Sequence, residues 1–186
     1  KWLDHFFDYK GSLVREISGR VLLCTIWSAG VVYLNSYISI GIPSIIHTLI
    51  GVALGLLLVF RTNASYDRFW EGRKLWGGIV NETRNLTRST EALLSNAPLV
   101  RKEISLWTIG LTYAIMHILR EKKSLGPVES ELDPSEVKKA LESPHPALYA
   151  ARKISQLLQK AKTDGLITEY AQASIDQNVQ LIVDYM

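Results

Sequence analysis

Few side chains in this sequence of 186 residues have the type and spacing that chemistry requires. Its four histidines are His5, His47, His117 and His145. They lack the short spacing between ligands that metal sites show. Cys24 is the single cysteine, so no internal disulfide can form and no thiol catalysis is indicated. We therefore expect neither a metal ion nor a cofactor.

Acidic residues do not indicate an enzyme either. Asp67, Glu71 and Glu82 fall on one extended predicted helix, where carboxylates can suggest acid–base catalysis. Solvated helix faces carry such residues routinely. The sequence also lacks the motifs of phosphate-binding loops, dinucleotide-binding folds, zinc proteases and serine hydrolases. We predict that the protein is not an enzyme.

The main feature of the sequence is a long stretch without charged residues. No Asp, Glu, Lys or Arg lies between Arg20 and Arg61. Gly41 and Pro43 divide this stretch into two predicted membrane helices, about 21–37 and 43–60. The second segment, of about 18 residues, gives a helix of roughly 27 Å, close to the hydrocarbon thickness of a bilayer. The pattern predicts a membrane helical hairpin.

Composition excludes several classes of partner. Apolar residues make up 47% of the chain, as in soluble proteins, so the membrane signal is local. The net charge is +3 and the basic residues are scattered, which indicates no nucleic-acid binding.

Residues 1–20 alternate aromatic and charged side chains, which predicts an interfacial helix, although a short soluble helix has the same pattern.

Basic residues flank the hairpin only at its outer ends. They precede the first span and follow the second, whereas the connecting turn has none. The positive-inside rule therefore predicts that both outer ends face the cytoplasm. His47 lies just after Pro43, and we interpret it as a side chain at headgroup level, with a pore or proton-relay role as the alternative.

One face of the second span continues beyond the membrane. On a helical wheel its apolar members share a sector of roughly 80°; they are Ile45, Leu49, Val52, Leu56 and Phe60. Asn63 and Asp67 continue the same stripe as polar residues. Gly51 and Gly55 let a neighbouring helix approach closely. The stripe is either lipid-facing and packed or a hydrophobic constriction around a shared axis.

Beyond Arg61 the pattern is helical, so residues 61–186 are predicted to form a cytosolic helical region in an all-α fold. The second span is expected to continue as an amphipathic helix. Asp133, with Glu136 in the first turn, predicts a capped helix start. Three more helices are predicted, over Leu99 to Arg120, Ala147 to Lys162, and about Leu166 past Met186. We interpret the first of these as a buried helix and not as a third membrane span.

The segment that follows the second span resembles the bestrophin family, in particular its bacterial and plant-like branch. It carries the pattern FRxNxxYxRxxExRKLW over residues 60–76, preceded by the glycine-containing apolar helix and by residues 10–12, Lys-Gly-Ser. The similarity extends more weakly over the whole chain. Members of the family continue into further membrane helices, so the chain is expected to be truncated. Calcium ligands of animal members lie in that missing part.

The resemblance implies a subunit of a ring-shaped homopentameric ion channel whose second membrane helix lines a narrow neck. By position, the neck residues are Val52, Leu56 and Phe60, flanked by Asn63 and Asp67. A second, cytosolic constriction maps to the turn 165–167, with Ile167 as its side chain. The implied location is a bacterial inner membrane or a plant organelle membrane, with lipid, other copies of the chain and permeating monovalent ions as partners.

The leading hypothesis is a passive channel that conducts chloride or other monovalent anions. Animal and plant relatives conduct anions, whereas bacterial relatives can select cations, so a sodium-selective channel is the second hypothesis. An apolar ring imposes a desolvation barrier on either sign of charge and does not decide between them. A membrane-anchored assembly module without conduction is the third hypothesis, and a transporter subunit is the fourth.

Overall fold

The computed structural model describes residues 13–38, 41 and 43–186, with side chains from Ile17 onward in those ranges. The described residues form six α-helices and one short 3-10 helix. They are α1 (Leu13–Asn35), α2 (Ser44–Leu93), α3 (Pro98–Ile118), the 3-10 helix (Gly126–Ser130), α4 (Pro134–Glu142), α5 (Pro146–Thr163) and α6 (Glu169–Asp184). The predicted all-α class is confirmed.

Helix boundaries differ from the predictions where the signal is weak. The first span was predicted over 21–37, but α1 starts earlier and ends at Asn35. Residues 1–12 of the predicted interfacial helix lie outside the described residues. The predicted continuity of the second span past Arg61 is confirmed by α2. The last helix was predicted from about Leu166 past Met186, but α6 covers Glu169–Asp184. It starts at Glu169 because Thr168 is its N-cap and accepts from the Ala171 N–H at 3.2 Å, and Tyr185 is its C-cap.

Contacts divide the chain into an amino-terminal unit, Lys1–Arg61, and a carboxy-terminal unit, Thr62–Met186. In the first unit, every side chain described from Ile17 to Arg61 is exposed. Two described helices, α1 from Ile17 and α2, are long and apolar enough to cross a membrane. A membrane location for residues 1–60 and a cytosolic location for 61–186 stay predictions.

The second unit has a continuous apolar core. Trp107 of α3 is 1% exposed and packs beside the ring of Tyr149 on α5, with 6.2 Å between ring centroids. Small buried residues on α5 let neighbouring helices approach closely; they are Ala147, Ala150, Ala151 and Ala161. The prediction that the apolar segment from Leu99 forms a buried helix is confirmed by α3.

The start of α4 is capped by Asp133 as predicted, but Glu136 does not take part in the cap. Asp133 accepts a hydrogen bond from the Ser135 N–H at 2.8 Å, which lowers the pKa of its carboxyl below the ordinary value. Glu136 does not complete a capping box. It accepts from Lys139 at 2.8 Å and from the Tyr149 hydroxyl at 3.0 Å, and it pairs with Lys153. These contacts join α4 to α5.

Two glycines are packed against aromatic rings within the second unit. Gly126 has φ +75°, and a Cβ added there would lie 2.4 Å from the Tyr113 ring. Gly78 of α2 lies against the ring of Tyr185, where an added Cβ would be 2.8 Å from the nearest ring carbon. Real side chains do not approach so closely, and the positive φ of Gly126 adds a second reason for glycine there, whereas a side chain at Gly78 would have to displace the Tyr185 ring.

Replacing Glu136→Gln should make stability less dependent on pH. Mainly through its hydrogen bonds from Lys139 and Lys153, the pKa of Glu136 falls from 4.5 to about 2 in the folded chain. The carboxylate's stabilising effect is therefore full above pH 4.5 and is lost as the pH falls toward 2. At neutral pH the variant should lose about 1 to 3 kcal/mol of unfolding free energy. Denaturant titrations in detergent between pH 2 and pH 7 measure both effects.

Glu142→Gln is the matched control, because the Glu142 carboxylate is 67% exposed and, among the described residues, forms an ion pair only with Lys138, at 3.9 Å. Such surface pairs contribute little. If the two variants show the same pH dependence, the cross-helix role of Glu136 is contradicted.

Replacing Gly126→Ala should destabilise the second unit, since the new methyl group meets the Tyr113 ring and alanine disfavours a positive φ. We expect a loss of roughly 1 to 3 kcal/mol, visible as a lower thermal midpoint. Gly72→Ala in α2, where an added Cβ meets nothing within 4 Å, should leave the midpoint unchanged or raise it. Equal midpoints for the two variants would contradict the expectation.

Candidate ion pathway

The predicted neck residues lie in one uninterrupted helix. Val52, Leu56 and Phe60 belong to α2 and are 57%, 53% and 67% exposed. Their spacing places the three side chains on one face. Neighbouring apolar residues on other faces are equally exposed, for example Leu58 at 67%. Burial within one chain therefore does not distinguish a pore-facing side from a lipid-facing side.

The polar continuation of the stripe lies in the same helix. Asn63 and Asp67 are exposed, and no ion pair engages Asp67 within the part of the chain that the structure describes. Glu71 is also exposed and is unpaired among the described residues. The helical register puts Asp67 and Glu71 within roughly 20° of Phe60 on the wheel. This face thus changes from apolar to acidic along the chain.

Aromatic residues occupy another side of the same segment. Tyr66 and Trp70 stack almost in parallel, with 6.5 Å between ring centroids. The ammonium of Lys74 lies 5.7 Å from the centroid of Trp70. Lys74 therefore makes a cation–π contact with Trp70 instead of an ion pair with Glu71, and it leaves the carboxylate unneutralised.

The predicted second constriction lies in the turn between α5 and α6. Gly165 has φ +71° and its N–H donates to the Lys162 carbonyl, while the Leu166 N–H donates to the Ala161 carbonyl at 2.9 Å. This double hydrogen bond is a Schellman motif, which ends a helix with a left-handed glycine. Ile167 is only 8% exposed and belongs to the core, whereas Leu166 is 40% exposed. In the single chain, the free side chain of this turn is Leu166.

Two features of the second unit were not predicted from the sequence. Tyr170, at the start of α6, is 85% exposed, and no periodicity signal marks an isolated aromatic residue. A groove of about 500 Å³ between α2 and α3 is lined by five residues that carry a hydroxyl group and by Arg84, Arg88, Glu91 and Ile109. All five hydroxyls donate to carbonyls of their own helix.

The histidines stay apart. His47 is exposed in the first turns of α2, and His117 is half-buried near the end of α3, stacked on Tyr113 at 6.1 Å. Among the described residues, no group of three or more His, Cys, Asp or Glu side chains is arranged to hold a metal ion. Cys24 is exposed in α1.

Comparison with known proteins places these features in a family. The family model described as bacterial/fungal bestrophin protein matches residues 1–186. A voltage-dependent anion channel-forming protein of Nostoc sp. is 34% identical over 98% of this chain and 61% of its own length. A protein of the same name from Synechocystis sp. is 32% identical over 100% of this chain and 62% of its own length.

Solved structures agree in fold. One point variant of a bacterial bestrophin homologue from Klebsiella pneumoniae superposes with a TM-score of 0.83 at 21% identity, covering 91% of this chain and 65% of that one. A second point variant of that homologue gives a TM-score of 0.79 at 20% identity over 94% and 65% of the two chains.

The two curated relatives are longer than this chain. The chain spans 61% and 62% of their length, which is less than two thirds. Together with the two apolar helices, their names indicate a membrane protein. Their names describe channel-forming proteins, in agreement with the prediction that the chain is not an enzyme. Because the family model covers its whole length, the chain belongs to the bacterial and fungal bestrophin family.

Proposed function

We propose that this chain is part of a passive ion channel whose pore is lined by α2 and which conducts chloride or other monovalent anions. The observation that carries the proposal is that Val52, Leu56 and Phe60 share one face of α2 and are followed by Asn63 and Asp67 without a break in the helix. The names of the relatives support a channel that passes anions.

The chemistry of the stripe fits a gate. Rings of Val, Leu and Phe side chains around a narrow axis offer no hydrogen bonds, so water leaves the constriction easily and an ion must shed its hydration shell to pass. Widening the ring by a small amount restores water and lowers the barrier. A passive pore with such a neck needs no cofactor and no bound metal ion.

A pore of this kind requires an oligomer. A single helix cannot enclose a water-filled path, so the proposal requires copies of the chain around an axis, and we propose the homopentamer that the family resemblance implies. Lipid surrounds the outer faces of α1 and α2. We propose the bacterial plasma membrane as the location, with both outer ends of the hairpin in the cytoplasm, because Arg15, Arg20, Arg61 and Arg68 flank only those ends.

The cytosolic constriction assigned to Ile167 stays a prediction. Since Ile167 is 8% exposed within the single chain, we propose that it anchors the turn 165–167 in the core and sets the position of the constriction. Gly165 supports this arrangement, because its positive φ allows the sharp reversal between α5 and α6.

A cation-selective channel is the second candidate, and Asp67 favours it. Its carboxylate lies on the stripe next to the proposed neck and is unpaired among the described residues. Copies of this carboxylate around one axis would repel anions and attract cations at low ionic strength.

Removing the neck side chains tests conduction. The triple variant with Val52→Ala, Leu56→Ala and Phe60→Ala should raise single-channel conductance in planar bilayers, because a wider ring retains water. A barrier lowered by about 1.4 kcal/mol would raise ion flux roughly tenfold. The matched control replaces Ile50, Leu54 and Leu58, on the opposite side of α2, with alanine.

The control variant should conduct like the parent protein. Equal conductance in both triple variants would mean that the stripe does not face the pore. No current from any of the three proteins would favour a membrane-anchored assembly module without conduction, and saturable flux without unitary steps would favour a transporter subunit.

Asp67→Asn tests the sign of selectivity. Removing this carboxylate should shift the reversal potential, measured under an asymmetric potassium chloride gradient, toward the equilibrium potential of chloride. The shift should shrink at high salt, since screening weakens the field of the remaining charges. Glu91→Gln, a change of the same charge on another face of α2, should leave the reversal potential unchanged. An unchanged potential in Asp67→Asn would remove Asp67 from the pathway.

A further inference from the structure

The segment that follows α3 combines exposed cations with an exposed apolar side chain. We call it the basic loop, and it consists of Leu119, Arg120, Glu121, Lys122 and Lys123, all exposed. Leu119 is 74% exposed, and Ile118 before it is 40% exposed. Within the part of the chain that the structure describes, no ion pair engages the cations of the loop. The loop therefore carries a net positive charge beside an uncovered leucine.

Hydrogen bonds give the basic loop a fixed shape. The N–H groups of Glu121 and Lys122 donate to carbonyls in the last turn of α3, at 3.0 Å and 2.8 Å. Glu121 has φ +56°, so α3 ends in a Schellman motif with a left-handed residue. The ammonium of Lys123 donates to the Ser143 carbonyl after α4 at 3.2 Å. An ordered turn therefore presents the side chains of the loop.

The two ends of α3 differ in free charge. Each end carries an exposed leucine, since Leu99 at the start of the helix is 83% exposed. Near that start, however, Lys102 is paired with Glu131 at 3.7 Å. The helix dipole attracts cations to the carboxy-terminal end and explains part of the charge of the loop. It does not explain why an apolar side chain is left uncovered among these cations.

The course of α3 brings the basic loop back toward the start of the second unit. α2 and α3 line one groove and are joined by a short turn, so they run antiparallel. The part of α2 from Thr62 to Leu93 is roughly 48 Å long, whereas α3, with 21 residues, is about 31 Å long. The end of α3 therefore lies roughly 17 Å along the helix axis from Thr62. Thr62 comes just after the predicted membrane span 43–60.

The surface of a membrane extends beyond its hydrocarbon. The headgroup region adds roughly 5 to 7 Å on each side. The field of anionic lipids falls off over about 8 Å at physiological ionic strength. Lysine and arginine also carry their charge at the end of a long apolar stem. The cations of the basic loop are therefore within reach of the headgroups.

Charge and polarity together decide which partner fits the basic loop. A nucleic acid needs a stripe of cations, whereas the basic residues of this chain are scattered. An acidic protein would be attracted by the cations but would leave Leu119 without a role. A membrane surface uses both features, because anionic headgroups attract the cations and an apolar side chain gains by entering the boundary between headgroups and acyl chains.

We infer that the basic loop binds anionic phospholipid headgroups of the cytoplasmic leaflet through Arg120, Lys122 and Lys123, with Leu119 inserted among them. This contact is separate from conduction, and it rests on the proposed function only for the cytoplasmic location of the second unit. It would anchor the end of α3 at the membrane surface.

A fluorophore at position 119 tests the inference in the full-length protein. In a Cys24→Ser background, Leu119→Cys is labelled with nitrobenzoxadiazole and reconstituted in vesicles of phosphatidylcholine, with or without about 30% phosphatidylglycerol as the anionic lipid. The emission should shift to shorter wavelength only in the anionic vesicles, and acrylamide, a neutral quencher, should then quench it less. High salt should reduce the shift, because it screens the charge of the lipid.

Leu99→Cys, labelled in the same way, is the matched control, because this leucine is exposed at the other end of α3. Its emission should be the same in both kinds of vesicle. Adding Arg120→Gln and Lys122→Gln to the Leu119→Cys variant should abolish the shift. Adding Arg120→Lys and Lys122→Arg, which keep the charge, should retain it. Circular dichroism should show the same helix content in all variants.

The outcomes separate the inference from the proposed function. Unitary currents from a protein whose label at position 119 emits alike in both kinds of vesicle would overturn the inference and leave the channel proposal standing. Equal shifts at positions 99 and 119 would also overturn it, since the contact would not belong to the basic loop. The expected shift in a protein without currents would support the inference and contradict the proposed function alone.

Discussion

Hydrocarbon offers no hydrogen-bond partners, so a backbone that crosses a membrane must satisfy its own N–H and C=O groups. α2 meets this requirement by continuing as one helix over Ser44–Leu93, from a charge-free segment into one rich in charge. A helix that does not break keeps its register. The residues on one face of the apolar part are therefore linked to those on the same face of the polar part, and this linkage underlies the proposed pathway.

The second unit supplies what a membrane segment cannot supply alone, which is a stable core. Trp107, Ile154 and Ile175 come from three different helices, and each is at most 1% exposed. The contacts of Glu136 with Lys153 and Tyr149 add a polar connection between α4 and α5 at the edge of this core. By contrast, the described side chains of the first unit are exposed in the single chain. This is expected of helices that face lipid and other subunits.

Local signals in the sequence predicted much of the helical pattern. The continuity of α2 followed from the lack of a proline after Pro43, and the start of α4 followed from Asp133. The partners of Glu136 and the burial of Ile167 were not predictable, because both depend on segments distant in sequence that meet only in the folded chain. The assignment of the neck residues rests on periodicity and on the family resemblance. The exposed surface of a single chain does not distinguish side chains that face a pore axis from side chains that face lipid.

The contact between Gly78 and Tyr185 is possible because glycine has no side chain. The tyrosine ring occupies the space that a side chain at Gly78 would need, so a residue with a Cβ there would have to displace the ring that follows α6. A single missing side chain on α2 therefore lets the residue after α6 pack directly against this helix.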